Sequence, residues 1–99
     1  MRRVVVSGIG AVTPLGGDIK STWENLIKNK SGANLISKFD TSDFQTKISC
    51  EVPLKSDQNS SASSFDSSKW FSSKDLRKVD DFIIFGVAAA EMALEDSLL

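Results

Sequence analysis

The chain has 99 residues, of which 40% are hydrophobic and 25% charged, and its formal net charge is −1. This balance excludes a chain that is disordered throughout and gives no indication of a nucleic-acid partner, which a strongly basic chain would attract. A chain of this length buries about 60–65% of its unfolded surface, so one modest core is expected. The single cysteine forms no disulfide within the chain, which favours a cytoplasmic location. The longest apolar run, residues 82–90, is far below the roughly 20 residues that cross a bilayer, so no membrane partner is expected.

The first predicted element is a buried strand over residues 3–12, where branched apolar residues are interrupted by Gly8 and Gly10. Glycine weakens a strand unless another part of the molecule must come near, so close packing is expected there. The order of strand, glycines and helix is also typical of a nucleotide-binding turn. Here Thr13 occupies the position of the third glycine of that motif, and Pro14 makes the connection to the helix longer than the motif requires. The two arginines before the run are typical of a signal peptide, yet no small-residue cleavage site follows, so export is not expected.

The second element is a helix that starts after Asp18, which is a favourable N-cap residue. One side of this helix is apolar and is formed by Ile19, Trp23, Leu26 and Ile27. Gly32 lies where a C-terminal glycine would end it. The pattern predicts a surface helix that covers the first strand.

An irregular connection over residues 31–44 precedes a strand at residues 46–52. Ile48, Cys50 and Val52 alternate with polar residues, so Cys50 is expected on the apolar face of a half-buried strand. The neighbouring sequence offers no cation, histidine or helix N-terminus to stabilise a thiolate. We therefore predict that Cys50 is a packing residue and not a nucleophile.

Serine and other polar residues dominate residues 55–68, which predicts a mobile surface loop. Such a loop costs little in closure entropy, because doubling its length adds only about 0.6 kcal/mol. Phe65, Trp70 and Phe71 are expected to anchor its far end.

The last predicted element is a long helix that begins near Ser72, where Ser72 and Asp75 form an approximate capping box. Its apolar stripe consists of Leu76, Val79, Ile83, Val87, Ala90 and Leu94. Residues 82–90 are apolar all round, so this half is expected to be buried on every side. Because 99 residues supply few neighbours, either chains associate through this surface or a further part of the fold covers it.

Charges on this helix oppose its dipole, since Lys74, Arg77 and Lys78 occupy the first turns and acidic residues the last. Each such placement typically costs about 0.3–1 kcal/mol. A pair between Arg77 and Asp81 would offset part of that cost. Two interpretations stay open: a solvated face with local pairing, or a docking surface for an acidic partner.

Several blocks of the sequence, in order, carry a resemblance to one family. They are VVSGIGAVTPLG at residues 5–16, TWENL at 22–26, SG at 31–32, FDTS at 39–42, TKI at 46–48 and KDLRKVDDF at 74–82. The chain resembles the first quarter of the β-ketoacyl acyl-carrier-protein synthases, the type II elongating enzymes of fatty acid synthesis. Ser7 stands where these enzymes more often have threonine.

The resemblance implies an α/β architecture, the N-terminal portion of a thiolase-like fold in the order strand, helix, strand, long helix. It implies decarboxylative condensation of an acyl thioester with a malonyl thioester, without a metal or other cofactor, in an enzyme that forms homodimers. The family's catalytic cysteine and two histidines would lie beyond residue 99, and this chain contains no histidine. No catalytic residue is therefore assigned, and the chain by itself is expected to be inactive.

The resemblance also implies that Lys74, Arg77 and Lys78 face the acidic recognition helix of acyl carrier protein. Three hypotheses follow: the N-terminal part of a synthase, a free-standing module that binds the carrier protein or itself, and a nucleotide-binding unit. Where family members follow the last helix with glycine, this chain has Leu98 and Leu99, which lack the conformational freedom of a glycine cap. A shortened reading frame or a substitution beside a cloning boundary would both explain that difference.

Overall fold

The computed structural model of the chain describes residues 1–56, 61 and 63–99. The helices are α1 (Ile19–Ile27), α2 (Ser73–Leu76) and α3 (Asp81–Ser97), and a 3-10 helix spans Ser67–Lys69. Strands β1 (Ala33–Leu35) and β2 (Ile48–Cys50) form a two-stranded antiparallel sheet. The mixed helix and strand content agrees with the expected α/β class. The order of the elements differs from the prediction at three places.

The predicted first strand is not formed, because residues 1–12 have no strand partner among the described residues. The prediction of a buried strand is wrong here: Val4, Val5 and Val6 are 95%, 80% and 79% exposed. A strand needs hydrogen bonds from a neighbour, and the apolar pattern alone does not supply that neighbour.

The close approach predicted at the two glycines is confirmed. A Cβ added to Gly8 would lie 2.6 Å from the Ser97 nitrogen, and one added to Gly10 would lie 2.7 Å from the Ala93 nitrogen. The Ile9 N–H donates a hydrogen bond to Asp96 Oδ2 at 2.9 Å. The N-terminal segment therefore lies along α3, with its glycines against the helix.

Helix α1 begins as predicted, because Asp18 Oδ1 accepts a hydrogen bond from the Ser21 N–H at 2.7 Å. It ends at Ile27, and the expected stop at Gly32 is wrong. Asn29 has a positive φ of 59° directly after the helix, a conformation that asparagine tolerates better than most residues. No residue of α1 is buried, so its apolar side does not cover a strand.

The hairpin of β1 and β2 pairs Ala33 with Cys50 and Leu35 with Ile48. Strand β1 falls in the segment that was predicted to be irregular. Cys50 is exposed, so its predicted packing role is wrong in this structure. No described helix or strand covers either face of the short sheet. Ile48 and Leu35 are therefore exposed as well.

The core among the described residues is small and consists of Phe65, Ile84 and Ala88. Phe65 is 2% exposed, and its ring meets Phe85 edge to face at 5.3 Å. Trp70 and Phe71 pack against this cluster, which confirms the expected anchor of the serine-rich segment. The predicted mobility of residues 55–68 remains a prediction, and residues 57–60 and 62 within that loop lie outside the described residues.

The predicted long helix is two helices, α2 and α3, separated by a turn. Asp80 interrupts it with extended backbone at φ −80° and ψ 162°, and is the N-cap of α3. The break places Lys74 and Arg77 at the end of α2 and Asp81 in the first turn of α3. Both placements agree with the helix dipole, so the electrostatic cost expected for one continuous helix does not arise there.

Burial of α3 on every side is also wrong for this chain. Ile84 and Ala88 are buried, whereas Phe82 is 72% exposed and Leu94 is 52% exposed. The reason is the one anticipated from chain length: few elements are present to cover the helix. None of the described helices is long and apolar enough to cross a membrane.

Candidate functional site

The predicted docking residues lie on α2 and the turn that follows it. Lys74 is inside the helix, Arg77 is its C-cap residue and Lys78 comes next, and all three are exposed. Ser72 Oγ donates to Asp75 Oδ2 at 2.9 Å and accepts from the Asp75 N–H at 3.3 Å, which confirms the expected cap. The N–H of Lys78 donates to the Asp75 carbonyl at 3.0 Å, so the turn stays close to the helix.

Two apolar side chains anchor this short helix and its turn. Leu76 and Val79 pack against the core cluster of Phe65, Ile84 and Ala88. They alternate along the chain with Lys74, Arg77 and Lys78, which are exposed. The packing therefore holds the basic side chains at the surface, and these five residues form what we call the basic turn.

The basic side chains of this turn are free of ion pairs within the described part of the chain, since none lies within 4.0 Å of a described carboxylate. The expected pair of Arg77 and Asp81 is not formed, and Asp81 Oδ2 lies 3.5 Å from Lys38 Nζ instead. The break before α3 removes the helical spacing on which that pair depended. Uncompensated, exposed cations attract an acidic partner over about 8–10 Å at moderate salt.

Lys38 is a residue that the sequence reasoning missed. It lies between β1 and β2 and ties that connection to the N-terminal turn of α3. The two residues are far apart in sequence, and no local pattern marks such a pair. Because the Lys38–Asp81 ion pair is exposed, it contributes about 0–1 kcal/mol to the free energy of unfolding. Its main effect is therefore on the orientation of the loop.

A second polar region is a cleft of about 440 Å³ between the start of α1 and the end of α3. Asp18, Asp66, Glu95 and Asp96 line it together with Lys69. The Ser68 hydroxyl donates to Asp66 Oδ1 at 2.6 Å and is the main cause of a lowered pKa of Asp66, to which Lys55 at 3.3 Å adds. This acidic cleft does not suit an acidic partner.

The nucleotide-binding interpretation is not supported by the geometry of the glycine segment. The positions opposite Gly8 and Gly10 are filled by the backbone of α3, at Ala89, Ala93 and Ser97. A phosphate cradle needs that space open and directed at a helix N-terminus. The glycines serve packing between the chain's own segments.

The comparisons with known proteins agree with the resemblance. Residues 1–99 match the family described as β-ketoacyl synthase, N-terminal domain. A 3-oxoacyl-[acyl-carrier-protein] synthase 2 of Rhizobium meliloti (strain 1021) is 38% identical over 98% of this chain and 22% of its own length. The proteins of the same name from Vibrio cholerae serotype O1 and Staphylococcus aureus (strain COL) are 41% and 31% identical over 97% and 99% of this chain.

The chain spans about a fifth of the length of these curated relatives, 22% of the first and 21% of the other two. Within that fifth, the similarity covers the basic turn as well as the glycine segment, because the matched region is the whole chain. On this full-length match to the family description, the chain belongs to the β-ketoacyl synthase family, in the region of its N-terminal domain.

Proposed function

We propose that this chain is the N-terminal part of a 3-oxoacyl acyl-carrier-protein synthase, an acyltransferase of fatty acid elongation in the cytoplasm. The observation that carries the proposal is the match of all 99 residues to the family, with relatives of that name at 38% and 41% identity. The reaction joins an acyl thioester to a malonyl unit, which loses carbon dioxide as the new carbon–carbon bond forms.

The proposed role of this chain within the reaction is to bind and not to catalyse. It has no histidine, and its one cysteine is exposed on β2. The nucleophile and the hydrogen-bond donors that stabilise negative charge in such a condensation must come from elsewhere. We expect no condensing activity from residues 1–99 alone.

We further propose that the basic turn docks acyl carrier protein through Lys74, Arg77 and Lys78. Their exposure, their lack of ion-pair partners among the described residues and the anchoring of α2 by Leu76 support this assignment. Complementary charge accelerates association and sets orientation more than it raises affinity. The contribution of the site should therefore be strongest at low salt.

A chimera tests the proposed function directly. Residues 1–99 would replace the matching segment of the Vibrio cholerae relative, which supplies the other four-fifths of the polypeptide. We expect condensing activity with malonyl carrier protein. A chimera that has the mass and circular dichroism of the parent enzyme but no activity would contradict the proposal.

Charge reversal in the active chimera tests the docking site. Arg77→Glu with Lys78→Glu should raise the KM for acyl carrier protein roughly tenfold at low salt, with less effect at high salt. The matched control is Lys20→Glu with Lys28→Glu, which changes the net charge equally at exposed positions of α1 and its C-cap. Equal effects of the two variants would overturn the docking assignment while leaving the proposed reaction intact.

The alternative function is a module that binds the carrier protein without chemistry, through the same exposed basic turn. The isolated chain should then bind acyl carrier protein in a salt-sensitive way that depends on Arg77 and Lys78. Binding by the chain, together with an inactive but folded chimera, would favour this module over a part of a synthase.

A further inference from the structure

The segment that carries the basic turn is as rich in carboxylates as in cations. Residues 74–81 include Lys74, Arg77 and Lys78, and also Asp75, Asp80 and Asp81, so the formal charge of the segment is zero. An acidic partner is attracted only if the carboxylates are held or neutralised by other groups. The surroundings of the three aspartates therefore decide how basic this surface is.

Two of these carboxylates belong to the starts of helices. Asp75 Oδ2 accepts a hydrogen bond from Ser72 Oγ at 2.9 Å at the N-terminus of α2, whereas Arg77 is the C-cap residue of that helix. Asp80 is the N-cap residue of α3. The positive end of a helix dipole stabilises a negative charge in both positions. Each of these two aspartates thus interacts with its own helix.

The third carboxylate is held by a residue from a distant part of the chain. Asp81 Oδ2 lies 3.5 Å from Lys38 Nζ, and Lys38 belongs to the connection between β1 and β2. Asp81 follows Arg77 by four residues and Lys78 by three, so its Cα lies at most about 14 Å from theirs. That separation is well within the roughly 30 Å over which charges interact at low salt. The pairing of Asp81 therefore affects the charge of the basic turn.

The backbone beside Lys38 is fixed to the hairpin. The Ser37 N–H donates a hydrogen bond to Glu51 Oε1 at 2.8 Å, and Ser37 Oγ donates to Glu51 Oε2 at 3.3 Å. Ser37 thus occupies the Glu51 carboxylate. Within the described part of the chain, Asp81 is the one carboxylate that lies within 4.0 Å of Lys38 Nζ.

Another lysine near Asp81 is already paired. Lys55 and Asp81 line the same cleft of about 320 Å³, but Lys55 Nζ lies 3.3 Å from Asp66 Oδ2. Asp66 also accepts a hydrogen bond from the Ser68 hydroxyl at 2.6 Å. Lys38 is therefore the cation that neutralises Asp81.

We propose that Lys38 is a positioning residue of the carrier-protein docking site, and that it acts by holding the Asp81 carboxylate. This inference rests on the docking function proposed for the basic turn. The exposed ion pair adds little to the stability of the fold. Its effect is on charge, because it leaves Arg77 and Lys78 free to meet an acidic partner. Without Lys38, Asp81 would compete with that partner for the same cations.

Binding of acyl carrier protein to the chimera with the Vibrio cholerae relative tests the role of Lys38. Lys38→Gln should raise the Kd roughly threefold at low salt, the effect of one unit charge several ångströms away in water, and less at high salt. Lys38→Arg keeps the charge and should bind like the unmodified chimera. The matched control, Lys20→Gln, removes the same charge from an exposed position of α1 and should leave the Kd nearly unchanged.

A double variant shows whether Lys38 acts through Asp81. In a chimera that already carries Asp81→Asn, the further change Lys38→Gln should not alter the Kd, because the carboxylate that the lysine holds is gone. An equal rise of the Kd with and without Asp81→Asn would overturn the inference, since Lys38 would then act on the carrier protein directly.

Failure of this inference is distinct from failure of the proposed function. If Arg77→Glu with Lys78→Glu weakens binding at low salt and Lys38→Gln does not, the docking site stands and the role of Lys38 is wrong. If none of these changes weakens binding, the docking assignment fails and the inference fails with it. The measured quantity is a Kd, so neither result depends on condensing activity.

Discussion

The glycines show how much a single residue depends on its surroundings. Gly8 and Gly10 face the backbone of α3, whereas Gly86 on that same helix faces open space. All three occur in apolar runs, and the close approach at the first two follows from the cost of glycine in extended chain. No contact within the described part of the chain requires a glycine at position 86.

A pair of alanine variants tests this contrast. Gly10→Ala should lower the free energy of unfolding by about 1–3 kcal/mol, because the added carbon overlaps the backbone at Ala89 and Ala93. Gly86→Ala should raise it by about 0.5–1 kcal/mol through helix propensity. Urea unfolding followed by circular dichroism, at a concentration where the chain is monomeric, measures both. An unfolding midpoint for Gly10→Ala equal to that of the unmodified chain would mean that the N-terminal segment does not pack on α3.

At the scale of the elements, the sequence predicts the helix caps but not which side chains are buried. Asp18 and Ser72 cap helices as their sequence contexts indicate, because capping is satisfied within a few residues. The strand predicted at residues 3–12 needs a neighbouring strand that the described residues do not provide. The apolar residues keep their helical spacing on both sides of Asp80. Their periodicity therefore predicts one continuous helix and misses the break that the extended backbone of Asp80 makes.

The sequence predicts which residues form the candidate site, but not the elements on which they lie or the contacts around them. The resemblance identifies Lys74, Arg77 and Lys78 as docking residues, and their exposure agrees with a docking role that remains a proposal. Their place on a short helix and turn, and the contact of Asp81 with Lys38, depend on contacts between distant parts of the chain. Sequence spacing carries no information about such contacts.

The 3-10 helix gives a prediction about pH. The Ser68 hydroxyl, followed by Lys55, lowers the pKa of Asp66. A lowered pKa in the folded state means that the stabilisation is present above the unfolded pKa of about 3.9 and is lost as the pH falls through the folded value. Ser68→Ala should move the Asp66 pKa upward in an NMR titration of its carboxyl carbon. The matched control, Ser73→Ala, should leave it in place, and an unchanged Asp66 pKa in Ser68→Ala would contradict this account.

At the scale of the whole molecule, the chain is expanded. Its radius of gyration is 15.7 Å, whereas a compact domain of 99 residues has about 13 Å. Together with a core of three buried residues among those described, this indicates that the chain by itself buries little apolar surface. Stability of the isolated chain should therefore depend on association.

Thermal unfolding provides the corresponding test. If copies of the chain associate through the exposed apolar side of α3, which includes Ile83, Val87 and Leu94, the Tm should rise by roughly 3–5 °C for each tenfold increase in protein concentration, because association stabilises the folded state. Val87→Glu should remove this dependence and lower the Tm at high concentration. A Tm that is independent of concentration in the unmodified chain would argue against a folded dimer.

The N-terminal segment held against α3 has a consequence for solubility. Three consecutive valines are exposed, and such a run can pair with the same run of another molecule and start β-aggregation. Arg2 and Arg3 directly precede the run, and charges in that position oppose stacking of identical segments. We therefore expect Arg2 and Arg3 to oppose fibril formation for as long as the valines have no strand partner.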